Sequence, residues 1–162
     1  MGEMGARTPV TERLERWLRE AGVAFEIVEH APVHTSEEAA RARGTRLEEG
    51  AKALVVRAEE RYLHLVLPAH LKADNALLRA ILGTRKVRFA TPEELSALTG
   101  CAPGAVPPFG NLFGLTVLVD EELCRNERVA FNAGSNSVSV TMRREDLVRL
   151  SGATVCRFAR PA

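Results

Sequence analysis

Short helical patterns closed by glycine, alternating with β-rich runs, are what most constrain this chain. Thr35 stands three residues before Glu38, a capping-box arrangement in which each side chain satisfies a free amide at a helix start, and Gly44 closes that helix. Thr91-Pro92-Glu93-Glu94 opens another helix in the same way, ended by Gly100. Thr8-Pro9 opens a first helix at about residues 9–21, where Val10, Leu14, Trp17, Leu18 and Ala21 recur at helical spacing before Gly22. Leu71 to Leu82, ended by Gly83, and the shorter Arg144 to Leu150 complete the helical patterns.

The intervening runs are strand-like: Phe25 to Val28, Ala51 to Val56, Tyr62 to Leu67, Lys86 to Ala90, Leu115 to Val119, Val129 to Phe131, Ser137 to Met142 and Ala153 to Phe158. The second and third flank the polar tip Glu59-Glu60-Arg61 and read as a hairpin, and Val138, Val140 and Met142 alternating with Ser137, Ser139 and Thr141 mark a half-buried strand. No strict βαβ rhythm appears, which predicts an α/β (α+β) fold with a central mixed, largely antiparallel sheet surrounded by helices. At 162 residues, without repeat or linker, one domain over residues 1–162 is expected.

Bulk chemistry removes several function classes. Lys plus Arg total 22 against 21 Asp plus Glu, a formal charge of +1 that argues against coating nucleic acid by bulk electrostatics, so any RNA contact has to be local and DNA is not an expected partner. Cys101, Cys124 and Cys156 are widely spaced and include no CxxC pair, which indicates neither a disulfide framework nor a zinc knuckle. No apolar run is long enough for a membrane span and no signal-like pattern opens the chain, so a cytoplasmic protein is expected. His30 and His34 are separated by Pro32, which denies them the shared helical face of a metal site, and neither metal nor cofactor is implied.

Three segments could carry chemistry. Lys52, among the small and apolar residues of Gly50 to Val56, is either a strand-end lysine covering apolar surface with its stem or a partly desolvated ammonium for a phosphate, carbonyl or developing oxyanion. Cys101 to Asn111 holds three prolines and two glycines, too much restriction for helix or strand; it is a rigid connector or a pocket wall. Asn132-Ala133-Gly134-Ser135-Asn136 offers free amides after a strand, as a tight turn or an anion-holding loop. Ser135 is in no GxSxG elbow and no cysteine has an evident histidine partner. Arg41/Arg43/Arg46 and Lys72/Arg79/Arg85/Lys86/Arg88 read as solvated faces or as local phosphate contacts.

In order and spacing, Gly50-Ala51-Lys52-Ala53-Leu54, Gly104-Ala105-Val106-Pro107-Pro108-Phe109-Gly110 and Asn132-Ala133-Gly134-Ser135 resemble the YbaK/EbsC-like proteins, freestanding relatives of the prolyl-tRNA synthetase editing insertion. The resemblance, over roughly residues 25–155, implies a partly barrel-like sheet and hydrolysis of the ester joining a mischarged amino acid to the tRNA terminal ribose, alanyl- or cysteinyl-tRNA for proline being the leading candidates. It implies no catalytic metal and no side-chain nucleophile. Lys52 matches the family lysine and would polarise the substrate; Gly104, Val106, Pro108, Phe109 and Gly110 would form one wall and Gly134 and Ser135 another; His30, Val33 and Thr35 match more loosely. The implied partners are the acceptor end of aminoacyl-tRNA and, as a candidate, prolyl-tRNA synthetase. Pro107 and Ala53 depart from the family pattern and would make the pocket less polar. The competing reading is a module that keeps the fold and binds aminoacyl-tRNA or a synthetase without turnover.

Overall fold

The computed structural model describes residues 6–162; residues 1–5, part of the stretch read for a signal pattern, lie outside the described residues. Helix α1 spans Pro9–Glu20, with Thr8 and Thr11 exchanging the bonds of a capping box. It is followed by β1 (Phe25–Glu29), α2 (Ser36–Arg43), β2 (Ala51–Ala58), β3 (Arg61–Pro68), β4 (Leu71–Ala73), α3 (Asn75–Leu82), β5 (Val87–Phe89) and α4 (Pro92–Thr99). Then come β6 (Thr116–Asp120), β7 (Arg128–Ser135), β8 (Val138–Arg143), α5 (Arg144–Ser151), β9 (Thr154–Cys156) and β10 (Ala159–Pro161). Among the described residues no helix is long and apolar enough to cross a membrane.

The strands form a five-stranded sheet in the order β5-β2-β3-β6-β9, a three-stranded sheet β1-β8-β7 and a two-stranded pair β10-β4. β3–β6 and β6–β9 pair in parallel and the remaining pairs are antiparallel. The centre of β3 reads Leu63-His64-Leu65-Val66-Leu67, nearly continuous in apolar character because both faces of this strand are covered. On one face Leu63, Leu65 and Leu67 pack with Leu78 of α3, Leu118 and Phe158. On the other, Val66, Val117 and Val119 join Leu14 and Leu18 of α1, Phe109, Phe131 and Leu147 in the larger core.

The expected barrel-like character is not there. The five-stranded sheet is open, with the three-residue strands β5 and β9 as edges, and an isolated bridge, Gly50 to Ala130, joins it to the three-stranded sheet. Closure needs a continuous ladder with consistent stagger around the ring. Here the register of β7 against β8 slips, Asn132 pairing Ser139 but Ser135 pairing Val138, so β7 kinks where a closing ladder would continue.

Leu71 to Leu82 also divides differently from its reading as one helix. Leu71–Ala73 pairs with the C-terminal strand, and Asp74 caps α3 by accepting from Leu77 N–H at 3.1 Å, so the helix begins at Asn75. The run Ala153 to Phe158 is likewise shorter than read, its strand ending at Cys156 and the next beginning at Ala159. Buried Asp120 takes the N–H groups of Phe158 and Ala159 on one carboxylate oxygen, each at 2.8 Å, and this turns the chain out of β9 and into β10.

Candidate functional site

A cleft of about 260 Å³ opens where α2, β2, the Pro/Gly loop and β7 meet. Its lining has Val33, His34, Thr35 and Ser36 at the entry to α2, Ala39 and Arg43 within that helix, and Ala51 to Leu54 of β2. Pro103, Gly104 and Val106 come from the loop, with Ala69, Asn132 and Asn136 completing it. Thr35 caps α2, accepting from Glu38 N–H at 3.0 Å, so the positive end of the helix dipole lies at the rim.

Lys52 is half-buried on this strand, and among the described residues no carboxylate pairs with it. Burial, and then the like charge of Lys72, push its ammonium below the ordinary lysine range. An ammonium short of both water and counter-ion is placed to donate to a substrate oxygen.

Arg43 is the second cation of the cleft and was read as exposed on α2. It is instead half-buried and reaches back to the three-stranded sheet. Its Nε donates to Ser139 Oγ at 2.9 Å, Nη1 to the Ala130 carbonyl at 3.3 Å and Nη2 to Asn132 Oδ1 at 3.0 Å. Burial without a carboxylate lowers its pKa to about 10, which leaves it charged at neutral pH. Asn132 passes the connection on, donating from Nδ2 to the Gly104 carbonyl at 2.8 Å. One arginine and one asparagine thus tie helix, sheet and loop lip together.

The loop is held equally firmly from behind. Phe109 is fully buried, its ring centroid 5.1 Å from that of Trp17 and 5.9 Å from that of Phe131, both edge-on. His64, fully buried on β3, donates from Nε2 to the Pro107 carbonyl at 3.1 Å, while its Nδ1 has no partner among the described residues. Desolvation drives this imidazole down to about 4. A β-carbon at Gly110 would lie 2.6 Å from His64 Cβ, so only glycine lets the loop pass this strand.

Of the residues expected from sequence, Lys52, Gly104, Val106, Val33 and Thr35 come together in the cleft. Pro108, Phe109 and Gly110 are buried behind it and brace the loop. Gly134 and Ser135 lie on β7 outside the lining: Gly134 N–H donates to the Ala105 carbonyl at 2.8 Å, and Ser135 Oγ accepts from Ser137 N–H at 3.0 Å. His30 is also outside it. Its Nδ1 donates to the Ala31 carbonyl at 2.8 Å, leaving Nε2 to accept from the Ser139 hydroxyl at 2.8 Å, behind Arg43. Pro107, expected to change pocket polarity, is buried with its carbonyl turned to His64, whereas Ala53 does line the cleft. Arg43, read as a solvated or phosphate-contacting arginine, and Asn132 and Asn136, read only within the polar turn around Gly134, also line the cleft, as do His34 and Ser36, which went unassigned.

Residues 30–150 match the model of the aminoacyl-tRNA editing domain. The chain belongs to that family. Like the family, it is an aminoacyl-tRNA deacylase, an ester hydrolase whose substrate is aminoacyl-tRNA. It is similar over its whole length, at 34% identity and covering all of the relative, to the multifunctional Ser/Thr-tRNA deacylase ProXp-y of Escherichia coli K12. It is 29% identical to the prolyl-tRNA editing protein ProX of Acetoanaerobium sticklandii, over 91% of this chain and 92% of that one. A solved structure described as a candidate trans-editing enzyme for prolyl tRNA synthetase superposes with a TM-score of 0.86 at 28% identity, over 95% of this chain and 99% of that one. Among the described residues, the lining of the cleft around Lys52 includes no cysteine, aspartate, glutamate or tyrosine.

Proposed function

We propose that this deacylase edits in trans, in proline-tRNA quality control, and that the ester is hydrolysed in the cleft around Lys52. The observation that carries this reading is the half-buried Lys52 ammonium, without a carboxylate partner among the described residues, beside the Gly104 lip and the cap of α2. Water attacks the ester carbonyl carbon, the bond to the ribose oxygen breaks, and that oxygen leaves with a proton. Charge grows on the carbonyl oxygen during attack, and a desolvated ammonium stabilises it more strongly than water does. Arg43, Asn132 and the braced loop hold the cleft's shape, which supports positioning of substrate over covalent chemistry. The three cysteines support no nucleophile, since burial raises each thiol and none lines the cleft.

At about 260 Å³ the cleft is below the usual range of ligand pockets, roughly 300–1,000 Å³, which favours a small amino acid. The likeness to ProX and to the candidate trans-editing structure supports proline tRNA as the carrier, and alanine and cysteine, the amino acids the motif resemblance implies, are the first candidates for a cleft of this size. A specific observation supports a second reading: Asn132, Asn136, Thr35 and Ser36 give the lining hydroxyl and amide partners, and the full-length relative is named for Ser/Thr-tRNA. A hydroxylated amino acid would engage the capacity these groups keep beyond their bonds to the Glu38 N–H, the Ala69 carbonyl, Arg43 and the Gly104 carbonyl, which alanine would not. A panel of alanyl-, cysteinyl-, seryl- and threonyl-tRNA for proline, with the cognate seryl- and threonyl-tRNAs and prolyl-tRNA as controls, decides between them. Release of alanine or cysteine from proline tRNA supports the first reading; release of serine and threonine irrespective of tRNA replaces it with the second.

A further inference from the structure

The Gly104 lip has two sides. Behind it lies a second cavity, about 220 Å³ and largely apolar, lined by Val55, Phe89, Ala90, Pro92 and Leu95 and sharing Ala53, Leu54, Pro103 and Gly104 with the Lys52 cleft. Phe89 is 52% exposed there. The exposed large hydrophobic side chains of the described residues are Val28, Ile81, Phe89 and Val155, and Phe89 alone among them is aromatic. An exposed aromatic on an edge strand is an aggregation hazard that the fold does not need. Phe89 ends β5 opposite Val56, yet it belongs to none of the buried clusters.

The cavity's walls are set in place. Glu94, which closes the capping box of α4, also receives Arg88 at 2.8 and 3.0 Å and the Tyr62 hydroxyl. That network joins the strand bearing Phe89 to the helix bearing Pro92 and Leu95. An apolar slot bordered by a half-exposed phenylalanine offers a surface on which an unpaired nucleobase can stack.

Aminoacyl-tRNA supplies such a base on the same nucleotide as the ester, and the two cavities adjoin through Ala53, Leu54, Pro103 and Gly104. The scissile ester sits on the terminal ribose, so the adenine on that same ribose must leave the Lys52 cleft within the span of one sugar. We propose that Phe89 and the cavity beside it form the stacking subsite for the terminal adenine of aminoacyl-tRNA. The inference rests on the reading of the Lys52 cleft as the ester site.

The test is binding of a short RNA ending in CCA that carries alanine through a non-hydrolysable 3′-amide, titrated by fluorescence anisotropy against wild type, Phe89→Ala and Phe89→Trp. A matched RNA has an abasic terminal nucleotide. Loss of stacking weakens Phe89→Ala by roughly fivefold to a hundredfold while Phe89→Trp keeps its affinity. The abasic RNA should lose about as much with wild type, and Phe89→Ala should then add no further loss. Unchanged binding by Phe89→Ala, or equal Phe89→Ala losses on the intact and abasic RNAs, overturns the proposal. So does a Phe89→Ala effect that tracks the attached amino acid, because the cavity would then hold its side chain. Failure of the underlying reading shows separately, as unaltered deacylation by Lys52→Ala, a result that the base-dependent coupling at Phe89 does not determine.

Discussion

A lysine flanked by alanines is an ordinary strand residue until its surroundings are known. Lys52 becomes distinctive because α2 and the Pro/Gly loop cover it and Lys72 repels it, both of which disfavour the ammonium. If the ammonium polarises the ester, activity falls as pH rises through this lowered pKa, after subtraction of spontaneous ester hydrolysis. Lys72→Ala removes one of the two causes and is expected to move that alkaline limb to higher pH, whereas Lys72→Arg leaves it in place; kcat/KM against pH for the three proteins reads the difference. Lys52 and Gly104 were legible through their motifs. Arg43 was not, because a helix rich in Glu and Arg predicts a solvated face, and the burial arises only when α2 crosses β7 and β8.

Elements were easier to find than their ends. Capping boxes at Thr35 and Thr91, and Thr8-Pro9 at the first helix, marked where three helices start, and at all three the cap satisfies amides that no other local group reaches. β4 and β10 were missed because each is three residues long and is defined by the other, a pairing across the chain that no local pattern carries. Gly134 shows how an element serves the site from outside it. Its φ is +87°, and an added β-carbon would meet Thr8 Oγ1 at 2.9 Å and Thr11 N at 3.1 Å, where α1 docks through Thr11 Oγ1 donating to the Ala133 carbonyl at 2.7 Å. Gly134→Ala is expected to cost about 1–3 kcal/mol from backbone conformation alone, with a further loss as α1 is displaced; thermal melting measures it. Asp120→Asn, whose NH2 must face either the Phe158 and Ala159 amides or the Glu122 amide now held by the second oxygen, is expected to cost about 1.5–3 kcal/mol in urea unfolding with the cleft intact.

For the molecule as a whole, the mixture of helices with a largely antiparallel sheet was legible, but the absence of closure was not. Whether strands close into a ring depends on register at the bulge in β7 and on pairing at the edges, which are properties of contacts between distant segments. The fold's dependence on pH has a readable source in His64. Its folded value of about 4 lies below the ordinary 6.5, so the unfolded chain binds the extra proton between them. Stability is full above about pH 6.5 and declines as pH falls toward about 4, by up to about 3 kcal/mol. Urea unfolding from pH 7.5 to pH 4 should show that decline, and His64→Leu, which cannot take up the proton, should flatten it. Because His64 holds the Pro107 carbonyl, the site loop is expected to loosen with the fold on the acid side.

The central claim, that the ester is broken in the cleft around Lys52, is tested most directly by single-turnover release of amino acid from alanyl-tRNA for proline, and from the best substrate of the panel, by wild type and by folded Lys52→Ala. The account predicts a loss of roughly a hundredfold or more in the Lys52→Ala rate, as expected when one principal electrostatic donor is removed, with tRNA binding retained. A Lys52→Ala variant that releases amino acid at the wild-type rate would contradict it and move the chemistry to another part of the surface.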